Sequence, residues 1–184
     1  MNRLASSAQL RASFIRWSLF IVPAVLLLGY LSGQLAGSGE GNAWFSGLAK
    51  PGLFPPGATF AIVWPILYVM MGLAFAAVCS AFGSRFRVPA IIAFVIQFAL
   101  NLLWSPMFFG WHQIGLALAV IVALDVMVVI TLYLFWKVRR WAGLMLLPYL
   151  AWILFATLLT LQFLQLNPGY ETVEPSNAVQ RIEL

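Results

Sequence analysis

Gln97, Asn101 and Asp125 are polar side chains set deep in the long apolar segments of this 184-residue chain. Gln97 and Asn101 are four residues apart, so on a helix they share one face. Polar groups in hydrocarbon turn toward the interior of a bundle. An ionisable one such as Asp125 is either a functional group or an interhelical hydrogen-bonding group. No second carboxylate lies in an apolar stretch, which argues against a proton relay. Aromatic residues recur around these positions at helical spacing. Trp64 and Tyr68 are i and i+4, Trp104 follows Asn101 by one turn, and Tyr149, Trp152 and Ala156 are i, i+3 and i+7. Such stripes serve plain packing, but each indole N–H also seeks an acceptor. Flat apolar walls with a few fixed polar groups would suit a large planar ligand. The chemistry to expect is binding, because no nucleophile–base pair accompanies these residues. His112 and Cys79 are each the sole residue of their type, so a metal site built from His and Cys is close to excluded. His112, in a turn, reads as solvated polar surface rather than a haem axial ligand. Cys79 reads as a small buried apolar residue.

The elements that must carry these residues follow from solvent preference. Hydrophobic residues make up 63% of the chain and charged residues 8%, against about 25% charged in soluble domains. No charge falls from Trp17 to Gly39, Pro51 to Ser84, Val88 to Leu124, or Trp141 to Tyr170. An ionised side chain is costly in hydrocarbon, so the solvent is a lipid bilayer. At roughly 20 apolar residues per span, the chain reads as an all-α membrane protein, a five-transmembrane-helix bundle with helices at about 17–36, 59–82, 89–109, 114–136 and 141–166. A basic segment 1–16 precedes this 17–167 membrane domain, and a polar tail 168–184 follows it. The first apolar run is longer than a signal-peptide core and no small-x-small cleavage site follows it, so it reads as the first span. Five spans put Arg3, Arg11, Arg16, Arg85, Arg87, Lys137, Arg139 and Arg140 on one side, with Lys50 and Arg181 on the other. The positive-inside rule then sets the N-terminus in the cytoplasm and the C-terminus on the opposite side. The same loops account for the net charge of +5 without nucleic acid. An ordinary helical bundle of this kind suits a bacterial cell membrane; outer or organellar membranes stay open.

The first loop, 37–58, carries Trp44, Phe45, Leu48, Leu53 and Phe54 among Lys50, Pro51, Pro55 and Pro56. Prolines restrict its conformations, and its large apolar groups do not describe a solvated linker. It reads as a semi-rigid apolar lid over the bundle mouth, or as an interfacial anchor. Gly29 and Gly33 form a GxxxG pair that favours close helix approach, within the chain or with a membrane partner as a scaffold.

Three ordered segments carry a resemblance that covers about Trp17 to Asn167. They are Trp44…Lys50-Pro51-x-x-x-Pro55-Pro56 with Val63-Trp64-Pro65-Ile66-Leu67-Tyr68, then Leu100-Asn101-Leu102-Leu103-Trp104-Ser105-Pro106-Met107-Phe108-Phe109-Gly110, and Trp141-Ala142-Gly143…Pro148-Tyr149-Leu150-Ala151-Trp152…Phe155-Ala156-Thr157. The chain resembles the TspO/MBR family of tryptophan-rich sensory proteins and mitochondrial translocator proteins, also known as peripheral-type benzodiazepine receptors. The resemblance implies a five-helix bundle, often a homodimer, whose internal pocket is closed by the first loop. It implies ligands such as protoporphyrin IX, haem, sterols or other flat apolar molecules, in a transport or sensory role with no required cofactor. Mapped by motif, the implied pocket residues are Trp44, Trp64, Tyr68, Asn101, Trp104, Tyr149, Trp152 and Ala156, beside Gln97 and Asp125 from the residue reading. It also implies an enzyme-like alternative, light-driven porphyrin degradation, for which Trp44 and Trp152 match the expected positions. Two departures stand out. Leu53 occupies a lid position where the family usually has tryptophan. The end of the last helix lacks the Tyr and the Arg or Lys of the eukaryotic sterol motif, which puts sterol binding of that kind in doubt.

Overall fold

In the computed structural model, which describes residues 7–169, the five apolar stretches form helices long and apolar enough to cross a membrane. The helices are α1 (Ser7–Leu35), α2 (Ala43–Gly47), α3 (Gly57–Cys79), α4 (Arg87–Ser105), α5 (Ile114–Val138), α6 (Arg140–Leu144) and α7 (Leu147–Leu166), with a π-helical turn Pro106–Gly110 extending α4. Among the described residues there is no strand. In hydrocarbon, backbone groups must be satisfied within the segment, and helices do this span by span.

Several boundaries differ from the sequence expectation, most by two or three residues. α1 begins at Ser7, well ahead of Trp17, because Ala, Gln, Leu and Arg between them are sound helix formers and no Gly or Pro interrupts them. The basic segment is therefore largely the start of the first helix; Met1 to Ser6 and the tail from Tyr170 lie outside the described residues. The expected second helix ends at Cys79, short of 82. The expected last helix is broken into α6 and α7 at Met145–Leu146. Pro148 sits in the first turn of α7, where its missing N–H is tolerated; within one continuous helix its ring would clash with the carbonyl four residues back. Finally, α4 widens at Pro106, and Trp111 N–H reaches back to Pro106 O at 2.8 Å. The wide turn accommodates the proline and leaves Phe108 fully inside.

α1 packs on α3, α3 on α6 and α7, α7 on α5, α5 on α4, and α4 returns to α1. The order around this ring is thus α1, α3, α7, α5, α4. Small residues allow the close approaches that drive association in lipid. A Cβ on Gly72 of α3 would lie 2.9 Å from the Val22 Cα of α1, and one on Gly29 would overlap the Tyr68 ring. Gly29 of the GxxxG pair is therefore committed to packing within the chain. The half of the bundle near the α3–α4 turn is filled by stacked Phe75, Phe94, Phe98 and Phe135, with Cys79 buried there. The other half holds Trp44, Trp64, Trp104 and Trp152 beside the polar groups of Tyr68, Asn101, Tyr149 and Gln97.

Candidate ligand site beneath the first-loop lid

α4 contributes Gln97 and Asn101 from one face, as their spacing requires, and both are buried. α3 brings Tyr68 and α7 brings Tyr149, and the four form one hydrogen-bonded chain. The Tyr68 hydroxyl donates to Asn101 Oδ1 at 3.1 Å, Asn101 Nδ2 donates to the Tyr149 hydroxyl at 3.1 Å, and that hydroxyl donates to Gln97 Oε1 at 3.1 Å. Three spans are thereby tied at one level. In a low-dielectric interior such a network specifies a unique packing only when its members are satisfied.

The aromatic candidates surround this chain and continue to the mouth. Trp64 stacks on Tyr68 with ring centres 5.2 Å apart. Trp104 stacks on Phe108 at 5.2 Å and meets Phe109 edge-on. Trp152 lies edge-on to Phe60 at 5.5 Å. Ala156, one turn further along α7, belongs to the buried core. Trp44 stacks on His112 at 4.4 Å and touches Phe108 edge-on. His112 thus packs against the lid instead of standing free in solvent, at a positive φ of 56°. Asp125 goes elsewhere. It sits at the α5–α7 seam, where Thr157 Oγ1 lies 2.8 Å from its Oδ2, and it makes no hydrogen bond to the Gln97–Asn101 chain. Thr157 thus links it to α7, while its Oδ1 is buried without a hydrogen-bond partner.

Three buried N–H donors in this half make no hydrogen bond: Gln97 Nε2, Trp104 Nε1 and Trp152 Nε1. An unpaired buried donor costs about 1–3 kcal/mol, so three in one aromatic region call for an acceptor.

The first loop folds inward over one end of the bundle. α2 turns Trp44 and Phe45 inward, and Leu48 and Pro51 are buried with them. Phe45 packs on Phe108, Phe109 and Phe163, and Phe54 bridges Phe60 and Phe163. Asn42 caps α2 by accepting from Phe45 N–H at 3.0 Å, and its amide reaches Phe109 O on the turn after α4. Pro55 is half-buried and Pro56 adjoins the start of α3. Lys50 stays exposed, its Nζ 5.2 Å from the Phe45 ring centre. The fastening that sequence reading missed is Asn167. Its Oδ1 accepts from Ala49 N–H at 2.8 Å while its Nδ2 donates to Ala49 O at 3.0 Å, a two-way clasp between the lid and the end of α7. Beside Pro168-Gly169, Asn167 reads only as a helix stop; nothing local signals a partner so far away in the chain. Asn167→Ala is expected to release the lid, seen as faster amide hydrogen exchange across residues 43–49. Unchanged exchange there would mean that the apolar contacts alone hold it.

Five apolar spans closed into a ring make this a multi-pass integral membrane protein of the helical-bundle class, with one end sealed by its first loop over an aromatic, partly polar interior. Within that class the chain belongs to the TspO/MBR family, whose profile matches residues 20–166. It is 40% identical over 126 residues to tryptophan-rich protein TspO of Chlorobaculum tepidum, covering 68% of this chain and 80% of that one. It is 36% identical over 133 residues to protein CrtK of Rhodobacter capsulatus, covering 72% and 83%. The human translocator protein is 34% identical over 146 residues, covering 78% and 86%.

Proposed function

We propose that this membrane protein binds a tetrapyrrole, protoporphyrin IX or haem, beneath its first-loop lid, in a transport or sensory role. The observation that carries the reading is the set of three buried, unpaired donors on Gln97, Trp104 and Trp152, set among stacked rings in the lidded half. A porphyrin offers a flat apolar face for indole and phenol rings. Its two propionate carboxylates are the acceptors on its edge, available to those donors within and to Lys50 at the wet mouth. The lid's clasp on Asn167 supports a site that opens to load and closes to retain. The N-terminus takes the cytoplasmic side in this reading, which puts the lidded mouth on the opposite face.

Titrating purified protein in detergent with protoporphyrin IX should quench the tryptophan emission. Trp152→Ala removes both a ring and a donor, and should weaken the affinity at least several-fold. An unchanged affinity would remove the proposed location; no quenching in the parent protein would remove the ligand class.

A further inference from the structure

A second candidate site lies on the outside of the bundle, far along α1 from the lid. A shallow, open groove of about 340 Å³ runs along α1, lined by Phe14, Ser18, Leu19, Val22 and Pro23, with Leu73 of α3 beside it. Its lining offers no free polar partner, because the Ser18 hydroxyl is taken by the Phe14 carbonyl at 2.9 Å. Two features of the sequence shape it. Pro23 has no N–H to donate to Leu19 O, which loosens α1 along the groove. The tight crossing of Val22 on Gly72 fixes the two helices at its inner end. Cations border the outer end. Arg11 lies on the same face of α1 as Phe14, Ser18 and Val22, at i, i+3, i+7 and i+11, and its side chain is exposed. Phe14 meets Trp141 edge-on at 5.7 Å, which draws in the start of α6 with Arg140 and, just before it, Arg139. The buried Nε of Arg139 makes no hydrogen bond.

An open apolar groove with an exposed arginine on the same helix face and an interfacial tryptophan and two arginines near Phe14 offers the two halves of a phospholipid site: apolar surface for a tail and cations for a phosphate. Basic groups at a helix–helix entrance recognise anionic head groups in this way. We propose that the α1 groove is a specific site for an anionic phospholipid, one acyl chain lying between Phe14 and Leu73 and the head group meeting Arg11, Arg139 and Arg140. This site is distinct from the lidded interior, so its occupant would brace α1 against α3 without competing for the inner ligand.

The test is native mass spectrometry of the whole protein in detergent, with dioleoyl phosphatidylglycerol, dioleoyl phosphatidylcholine and oleate as probes. Phosphatidylglycerol should be retained preferentially over phosphatidylcholine, and Arg11→Gln with Arg140→Gln should cut that preference by about five-fold per arginine. Leu73→Trp and, separately, Ser18→Phe should fill the groove and abolish retention; protoporphyrin quenching kept in either variant shows that the bundle is intact. Equal retention of the two phospholipids, retention of oleate as strong as phosphatidylglycerol, or full retention in a folded groove-filling variant would each overturn the site. Disulfide linkage of two chains through Ser18→Cys in membranes would assign the groove to a second copy instead, and would overturn it as well.

Discussion

Asn101→Leu is expected to cost the bundle about 1–3 kcal/mol and to weaken porphyrin binding several-fold. Asn101 is the middle link of the polar chain: it accepts from Tyr68 on α3 and donates to Tyr149 on α7. Leucine leaves the Tyr68 hydroxyl without its acceptor and Tyr149 with only its bond to Gln97. Interhelical hydrogen bonds in membranes average about 0.6 kcal/mol, because the unfolded chain in lipid finds other partners. Two such bonds therefore contribute little more than 1 kcal/mol. The penalty for groups left buried and unpaired supplies the rest. Tyr68→Phe separates the two effects, since it removes a donor and leaves a side-chain amide that retains its bond to Tyr149. Denaturation in mixed micelles should rank Asn101→Leu as clearly more damaging than Tyr68→Phe. Equal and negligible costs would mean that the chain of hydrogen bonds does not hold the three helices.

Gly72→Val should be more damaging still, about 3 kcal/mol or more, since overpacking of a close-packed interior typically costs about 1–3 kcal/mol. The estimate sits at the top of that range because the obstacle is backbone. An added Cβ would lie 2.9 Å from the Val22 Cα and 3.0 Å from its Cγ2, so relief requires moving α1 away from α3. These two helices share one of the most extensive contacts in the ring, and no rotamer change restores it. Gly47→Ala is the matched control. It lies in α2 with nothing near its would-be Cβ, and should change stability by no more than about 0.5 kcal/mol. If Gly72→Val unfolded no more readily than Gly47→Ala, the helix crossing would be looser than its geometry implies.

Much of the site was legible because helical periodicity is local. Gln97 with Asn101, Trp64 with Tyr68, and Tyr149 with Trp152 and Ala156 were each assigned a common face from spacing alone. The structure brings Tyr68, Gln97, Asn101 and Tyr149 into one chain of bonds. Spacing could not distinguish Asp125 from them. Its helix carries apolar residues all round, so the sequence does not say which neighbour it faces; contact with α7 directs it to Thr157. The partners of the lid were likewise silent. Phe108 is buried within the wide turn that starts at Pro106, and Asn167 clasps a residue 118 positions away.

By itself the sequence determined the solvent, the number of spans and the helical faces. Each follows from a cost paid residue by residue: charge excluded from hydrocarbon, backbone bonds closed within a span, and side chains repeating every 3.6 positions. The tertiary structure decided which faces meet. The ring order α1, α3, α7, α5, α4, the closure of the lid and the separation of Asp125 from the polar chain depend on contacts between distant segments. In lipid, apolar helix surfaces gain little by hiding from their solvent, so small-residue contacts and a few buried hydrogen bonds choose among arrangements that hydropathy treats as equal.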